Sequence, residues 1–240
     1  MSVQYIRNEI THLIEEQNLL KKWKPEDFAA IIREVGFSCN LCGKCCTTDF
    51  NGHVFLLDID AAYVLGHNPE YLIPAPRFEL IDNEGSFYVA GYALRARPDG
   101  TCPYLNNSRC EIYQSRFAIC RIYPYMLHRE PDKRKKLVFR QISGLNEHGE
   151  YNHPMTVEES LMAAKDTIDY ESAWISQMIS FYTATEKIFL NNGFSHVRKA
   201  YDKRIQEFRK GEEIIVNVWH HENFTKKIVR FEEYQGFGWP

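Results

Sequence analysis

The chain of 240 residues contains no run approaching the ~20 consecutive apolar residues that a membrane-crossing helix requires. No apolar stretch opens it either. Arg7, Glu9, Glu15 and Glu16 interrupt the N-terminal region, so no secretory leader is expected, and a cytoplasmic location with reduced thiols is. Neither sign of charge is in excess: 29 basic residues face 32 acidic ones, a net charge of −3. That balance gives no electrostatic reason to expect nucleic acid or an anionic membrane as a partner, and leaves a protein partner open. The sequence also lacks a Gly-x-Gly-rich strand-to-helix turn that would cradle a nucleotide or S-adenosylmethionine. It has no internal repeat, low-complexity tract or evident linker, so residues 1–240 read as one domain.

What the chain does have is cysteine. Cys39, Cys42, Cys45 and Cys46 fall within eight residues, and Cys102, Cys110 and Cys120 lie within nineteen residues of one another. A chain that is 44% hydrophobic and 25% charged can build its own core, so these thiols are not needed merely to fold it. Seven is odd, which rules out complete pairing within the chain. Together with reducing surroundings and close spacing, this favours metal over disulfides or idle buried thiols.

Hydrophobic periodicity places the cysteines among recognisable elements. Residues 2–22 read as an amphipathic helix through Ile6, Ile10, Leu13, Ile14 and Leu20. Pro25 suits the first turn of a second helix and Gly36 its end, with Phe28, Ile31, Ile32 and Val35 as its apolar stripe. The first cysteine group follows at once, in a loop turned again at Gly43. Val54–Leu57 reads as a strand, and Asp58 as the cap of a short helix stopped by Gly66. Residues 77–96 read as a hairpin about Asn83-Glu84-Gly85, and Leu137–Ile142 as a further strand. Thr156 and Glu159 form a capping box for a long helix ending near Asn192 and Gly193. Its Leu161, Ile168, Ile175, Tyr182 and Phe189 recur every seven residues. That face reads as core-facing rather than as a dimerising coiled coil, because intervening positions include Glu171 and Thr185. Ser195 is a cap for one more helix to about Lys210, so 156–210 is a helical region. Two strands, Glu213–Trp219 and Ile228–Phe231, form the tail. Helices and strands without a βαβ rhythm make the fold class α+β.

The chemistry follows from spacing. Cys39, Cys42 and Cys45 form two C-x2-C steps in series, like the start of a bacterial ferredoxin run, but Cys46 is adjacent to Cys45 and no proline follows. Nor is this the pair of separated knuckles typical of a zinc finger. If the segment is extended, Cys45 and Cys46 point to opposite sides and could serve different centres. Seven thiols also exceed the four that one zinc ion or one 4Fe–4S cubane needs, which implies two sites or one bridged multinuclear site. Asp49, His53 and His128 are candidates for an eighth ligand. His220-His221 adjoins a strand, so its two rings are expected to face opposite ways and not to share an ion. Lys44, Arg109, Arg116 and Arg121 interleave with the cysteines, and Arg121 directly follows Cys120; such cations are read either as thiolate-stabilising neighbours or as surface charge. Arg129–Lys136, which includes Glu130, Pro131 and Asp132, reads as a solvated loop.

The residues Phe37-x-Cys39-x2-Cys42-Gly-x-Cys45-Cys46, followed by Cys102-x2-Leu105-x4-Cys110-x-Ile112-Tyr113-x2-Arg116-x3-Cys120-Arg121-x-Tyr123-Pro124, resemble the YkgJ-type cysteine-cluster family. The resemblance spans about residues 37–126 and departs at Arg116-Phe117, where the family usually has Arg-Pro. It implies a zinc- or iron-chelating region with Cys39, Cys42, Cys45, Cys46, Cys102, Cys110 and Cys120 as ligands. A related cluster in flagellin lysine methylases is linked to an iron–sulfur cluster. The thiol-only donor set and the ferredoxin-like first spacings favour iron–sulfur, with zinc as the alternative. Three roles stay open: electron transfer or metal handling, a metal-dependent enzyme of the methylase kind, and a metal-stabilised interaction module.

Overall fold

The computed structural model describes residues 3–127, 130–131, 137–138 and 148–237. Helix α1 (Gln4–Leu20) carries Ile6, Leu13 and Leu20 on one buried stripe, seven residues apart. It lies against α6 (Val157–Asn192), whose Ile175, Phe181, Tyr182 and Phe189 are buried opposite. Arg7 Nε donates to Glu186 Oε1 at 2.6 Å and Gln17 Nε2 to Ser176 Oγ at 3.2 Å, so the two helices run antiparallel. The seven-residue spacing of α6 is therefore met within the same chain, as a core-facing helix requires. Thr156 Oγ1 accepts from the Glu159 amide at 3.1 Å and Glu159 returns the contact to the Thr156 amide at 2.8 Å, completing the expected capping box. Gly193 closes α6 in the left-handed conformation.

Helix α2 (Pro25–Val35) begins and ends at Pro25 and Gly36 as expected, and its Phe28, Ala29 and Ile32 pack on the first turns of α6 with Ala164. Ile31 departs from the expected stripe and is exposed. The next helices are α3 (Thr48–Asn51) and α4 (Asp58–His67). Asp58 does not cap α4. Its amide donates to Gln177 Oε1 at 3.0 Å, while its carboxylate accepts from the His221 amide and contacts His220 Nδ1, both at 3.1 Å. Gln177 supplies the missing acceptor from α6, and the helix runs one residue past Gly66.

The strands are short. β1 (Leu72–Pro74) pairs antiparallel with β4 (Tyr92–Leu94). β2 (Leu80–Ile81) and β3 (Phe87–Val89) form a hairpin whose turn is held by Asp82 Oδ1 accepting from the Glu84 and Ser86 amides, both at 2.9 Å. The expected hairpin over 77–96 is thus split between two sheets. Later in the chain come β5 (Leu105–Asn106), β6 (Arg109–Cys110), α5 (Ala118–Ile122), the β7 (Glu130–Pro131) and β8 (Leu137–Val138) pair, and α7 (Arg198–Arg209). β9 (Ile214–His220) pairs parallel with β3 and antiparallel with β10 (Asn223–Val229), giving the order β10-β9-β3-β2.

Strand alternation divides the core. Phe87, Val89, Ile214, Val216 and Val218 face one cluster with Phe208 of α7 and Val64 of α4, while Tyr88 and Trp219 face α1 and α6. A smaller cluster joins Ala118 and Ile122 of α5 to Tyr170 of α6 and Leu57. Helices and small sheets arranged this way are α+β.

Three further sequence expectations shift. Val54–Leu57 makes a single bridge, Phe55 to Ala93, rather than a strand. Ser195 does not cap α7, which starts after Val197; its hydroxyl and amide both donate to Asn83 Oδ1 at 2.9 Å and tie the loop to the β2–β3 turn. The last strand starts at Asn223, earlier than expected, and Phe231 falls in a 3-10 turn. Of the strand expected at Leu137–Ile142, residues 137–138 are strand; 139–142, His128 and most of the Arg129–Lys136 stretch lie outside the described residues.

Candidate metal centre

The two cysteine groups are stitched together by main chain. The Cys102 amide donates to the Cys46 carbonyl at 2.8 Å, the Thr48 amide to the Gly100 carbonyl at 2.9 Å, and Thr47 bridges Thr101. At the other end of the first group, Ser38 and Glu150 exchange amide–carbonyl bonds at 2.8 and 2.9 Å just after α2 ends.

Gly43 sets the turn between these anchors. Its φ of +75° is open to glycine at no steric cost, and it starts a 3-10 turn over Lys44–Cys46. This turn changes the expected relation between Cys45 and Cys46. The segment is wound rather than extended, their sulfurs are 4.0 Å apart, and both line the same cavity. The premise for assigning the two thiols to separate centres therefore fails. Asn51 Nδ2 secures the turn by donating to the Cys45 carbonyl at 2.5 Å.

Cys110 arrives on a hairpin. β5 and β6 are joined by Asn107 and Ser108, both with positive φ, the backbone that a two-residue turn matching strand twist requires. Cys110 pairs across from Leu105. Arg97 fixes this hairpin's approach by donating to the Leu105 and Pro103 carbonyls, both at 2.7 Å. Cys120 lies on α5, whose first turn is held by the Ala118 amide donating to Asp60 Oδ2 at 3.0 Å.

The result is a cavity of about 470 Å3 lined by six of the seven cysteines: Cys39, Cys45, Cys46, Cys102, Cys110 and Cys120. Cys42 is exposed and not among the lining residues, carried outward after Leu41, whose φ is +59°. No disulfide joins any of the seven. Among the described residues, no three thiol, imidazole or carboxylate groups stand close enough to hold a single ion. The sulfurs ring a space rather than converge on a point.

Electrostatics favour the neutral thiols at most of these positions. Burial pushes Cys102 up to about 11, and burial together with the neighbouring Cys102 pushes Cys120 well above the ordinary thiol range. Burial also raises Cys110. Cys45 moves the other way: its contact with the Cys46 thiol, helped by Arg116, holds it below the usual value while Cys46 is driven up. Thiolates formed here on binding a metal would require cationic compensation. Of the four interleaved cations, Arg116 lines the cavity, stacked 4.0 Å over Tyr113 with its Nε donating to the Tyr113 carbonyl at 3.0 Å. Lys44, Arg109 and Arg121 do not line it.

Of the candidate eighth ligands, His53 lines the cavity and Asp49 is exposed away from it, while His128 is outside the described residues. Burial, then the charge of Arg77, lowers His53 to about 4, so its imidazole is neutral at physiological pH. His220 and His221 sit elsewhere, and their rings are 4.2 Å apart rather than opposed, because the strand ends at His220 and His221 turns with a φ of +45°. Arg77, Asn51 and Phe50 line the cavity without having been singled out by the sequence. Asn51 lies close after Cys46, but Arg77 is remote from every cysteine and no local signal marks it.

Thiols from three separated segments face one cavity, which makes this a cysteine-rich pocket. Residues 38–143, a little under half of the chain, match the family model described as CxxCxxCC, a putative zinc- or iron-chelating domain. This is the cysteine-cluster family that the spacing resembles, and the match continues past the last cysteine. No curated protein and no solved structure matches the chain. Among the described residues, no helix is long and apolar enough to cross a membrane.

Proposed function

We propose that the chain binds a cysteine-ligated iron–sulfur cluster in this cavity, within one reducing, cytoplasmic domain, and serves electron transfer or metal handling. The observation that carries the reading is the convergence of six thiols from three chain segments on one space of about 470 Å3. A single closed zinc site needs four donors about 2.3 Å from one point. A cluster brings its own bridging sulfides and suits donors spread around a volume, so the arrangement favours one bridged multinuclear centre over two separate ions. Ligands come from Cys39, Cys45, Cys46, Cys102, Cys110 and Cys120, and Cys42 is the thiol least suited by position. When bound, the cluster supplies one-electron chemistry. The protein's own part is to exclude water with aromatic walls and to offset thiolate charge with Arg116.

Protein purified without oxygen is expected to be brown, with iron and acid-labile sulfide in matching amounts and broad visible absorption. Colourless protein with tightly held zinc and no sulfide would remove the iron–sulfur reading and leave zinc. An enzymatic reading has one observation in its favour, the size of the cavity, which falls within the ~300–1,000 Å3 typical of small-molecule sites.

A further inference from the structure

The cavity has a second chemistry besides its sulfurs. Phe50, Val54, Ile119 and Met126 make apolar wall, and Arg77 lines the same space while remaining exposed to solvent, which puts it at the rim. Among the described residues, no hydrogen bond or ion pair engages the Arg77 guanidinium. Its charge acts on His53, whereas it is Arg116 whose charge acts on Cys45, Cys110 and Cys120. The two arginines therefore divide the work: one offsets thiolates, and the other is left for something that enters from outside. A guanidinium presents a planar fork of donors that matches a carboxylate in a bidentate way. A neutral imidazole beside it adds one more hydrogen-bonding group, and the apolar wall accepts a hydrocarbon body.

We propose that the cavity binds a small organic monocarboxylate, its carboxylate held at the rim by Arg77 with His53 alongside and its apolar body lying among Phe50, Val54, Ile119 and Met126, facing the thiol wall. This rests on the reading of the cavity as a metal centre only for its consequence, which is to place that body beside the metal; the binding itself needs only Arg77 and the wall.

Isothermal titration calorimetry of the full chain, purified with its metal, tests it with hexanoate, the neutral near-isostere hexanamide, and inorganic phosphate. Hexanoate is expected to bind saturably and at least tenfold more tightly than either of the others, and Arg77→Gln to weaken it about tenfold or more, the usual scale for losing a charged hydrogen bond. Because Arg77 is exposed, the variant should keep its thermal midpoint and its metal content, which are measured in parallel. Absence of hexanoate binding, equal binding of hexanamide, or indifference to Arg77→Gln would each overturn the proposal, and Arg77-dependent binding of phosphate as tight as hexanoate would replace it with a phosphate site. Hexanoate binding by a chain that holds neither iron nor zinc would instead sink the metal reading and leave the carboxylate site standing.

Discussion

Cys42 and Cys120 make the sharpest comparison among single residues. Cys120 is enclosed at the cavity wall and Cys42 is exposed outside it. Alanine at Cys120 should remove most of the bound metal, while alanine at Cys42 should leave most of it, as read by metal analysis on protein purified without oxygen. Equal losses from both would mean that the loop carrying Cys42 folds inward on binding. Glu79 makes a separate prediction. Burial raises its carboxyl to about 8 against an ordinary value of 4.5, with the Ala90 amide donating to it at 3.1 Å. Its folded form holds the proton more tightly than the unfolded chain does, so its contribution to stability is full below about 4.5 and is lost as pH rises through about 8. Glu79→Gln should therefore flatten the fall in melting temperature between about pH 5 and 8 relative to the parent protein. A parallel fall in both would assign that pH dependence to other groups. Neither residue's standing was legible from sequence. Spacing marks all seven cysteines alike, and a lone glutamate before a strand gives no sign of burial.

At the level of elements, local grammar read well where backbone rules dominate and poorly where tertiary partners intervene. Pro25, Gly36, the Thr156–Glu159 box and Gly193 bound their helices as their chemistry dictates. Asp58 and Ser195 have the side chains of caps, yet His220, His221 and Asn83 claim them instead. Local preference is worth about 1 kcal/mol at such positions, and a long-range partner of similar strength can redirect it. The same limit explains the adjacent cysteines: their relation depends on a 3-10 turn set by Gly43. Gly43→Ala would force a side chain into a φ of +75° and bring its Cβ to 3.2 Å from Leu105 Cδ1. The expected result is a loss of about 1–2 kcal/mol in chemical denaturation, with weaker metal retention, because the turn carrying Cys45 and Cys46 must shift. Unchanged retention would show that the turn can relax without moving those sulfurs.

Taken as a whole, the molecule keeps most of its apolar core away from the cavity. The packing of α1 on α6, of α2 on α6 and of the two faces of the four-stranded sheet involves no metal-site thiol apart from Cys102 and Cys120, which touch the largest cluster. Removing the metal should therefore lower the melting temperature without erasing helical circular dichroism. Ligand linkage sets the scale, about 4 kcal/mol at a thousandfold excess over the dissociation constant. Collapse of the helical signal on chelation would instead make metal binding and folding one event. The α+β class and the union of two distant cysteine groups were both visible in the sequence, the first from periodicity and the second from the family resemblance, while counting thiols left one bridged site or two open. Of the rest of the cavity's lining only Arg116 was marked, because Arg77 and Phe50 reach it through chain geometry that no spacing rule contains.

The amide–carbonyl link between Cys102 and Cys46 joins two parts of the cavity that translation delivers at different times. Translation delivers Cys39–Cys46 first, and at roughly 5–20 residues per second Cys120 follows about 4–15 s later. During that interval the early thiols have neither their wall nor their neighbours, and they stand as a bare four-cysteine tag on a nascent chain. Any free metal or oxidant met then would find half a site. On the proposed reading, delivery of the metal belongs after release of the cysteine region from the ribosome, and growth under oxidative or metal-overload stress should expose this protein at birth rather than in its finished state.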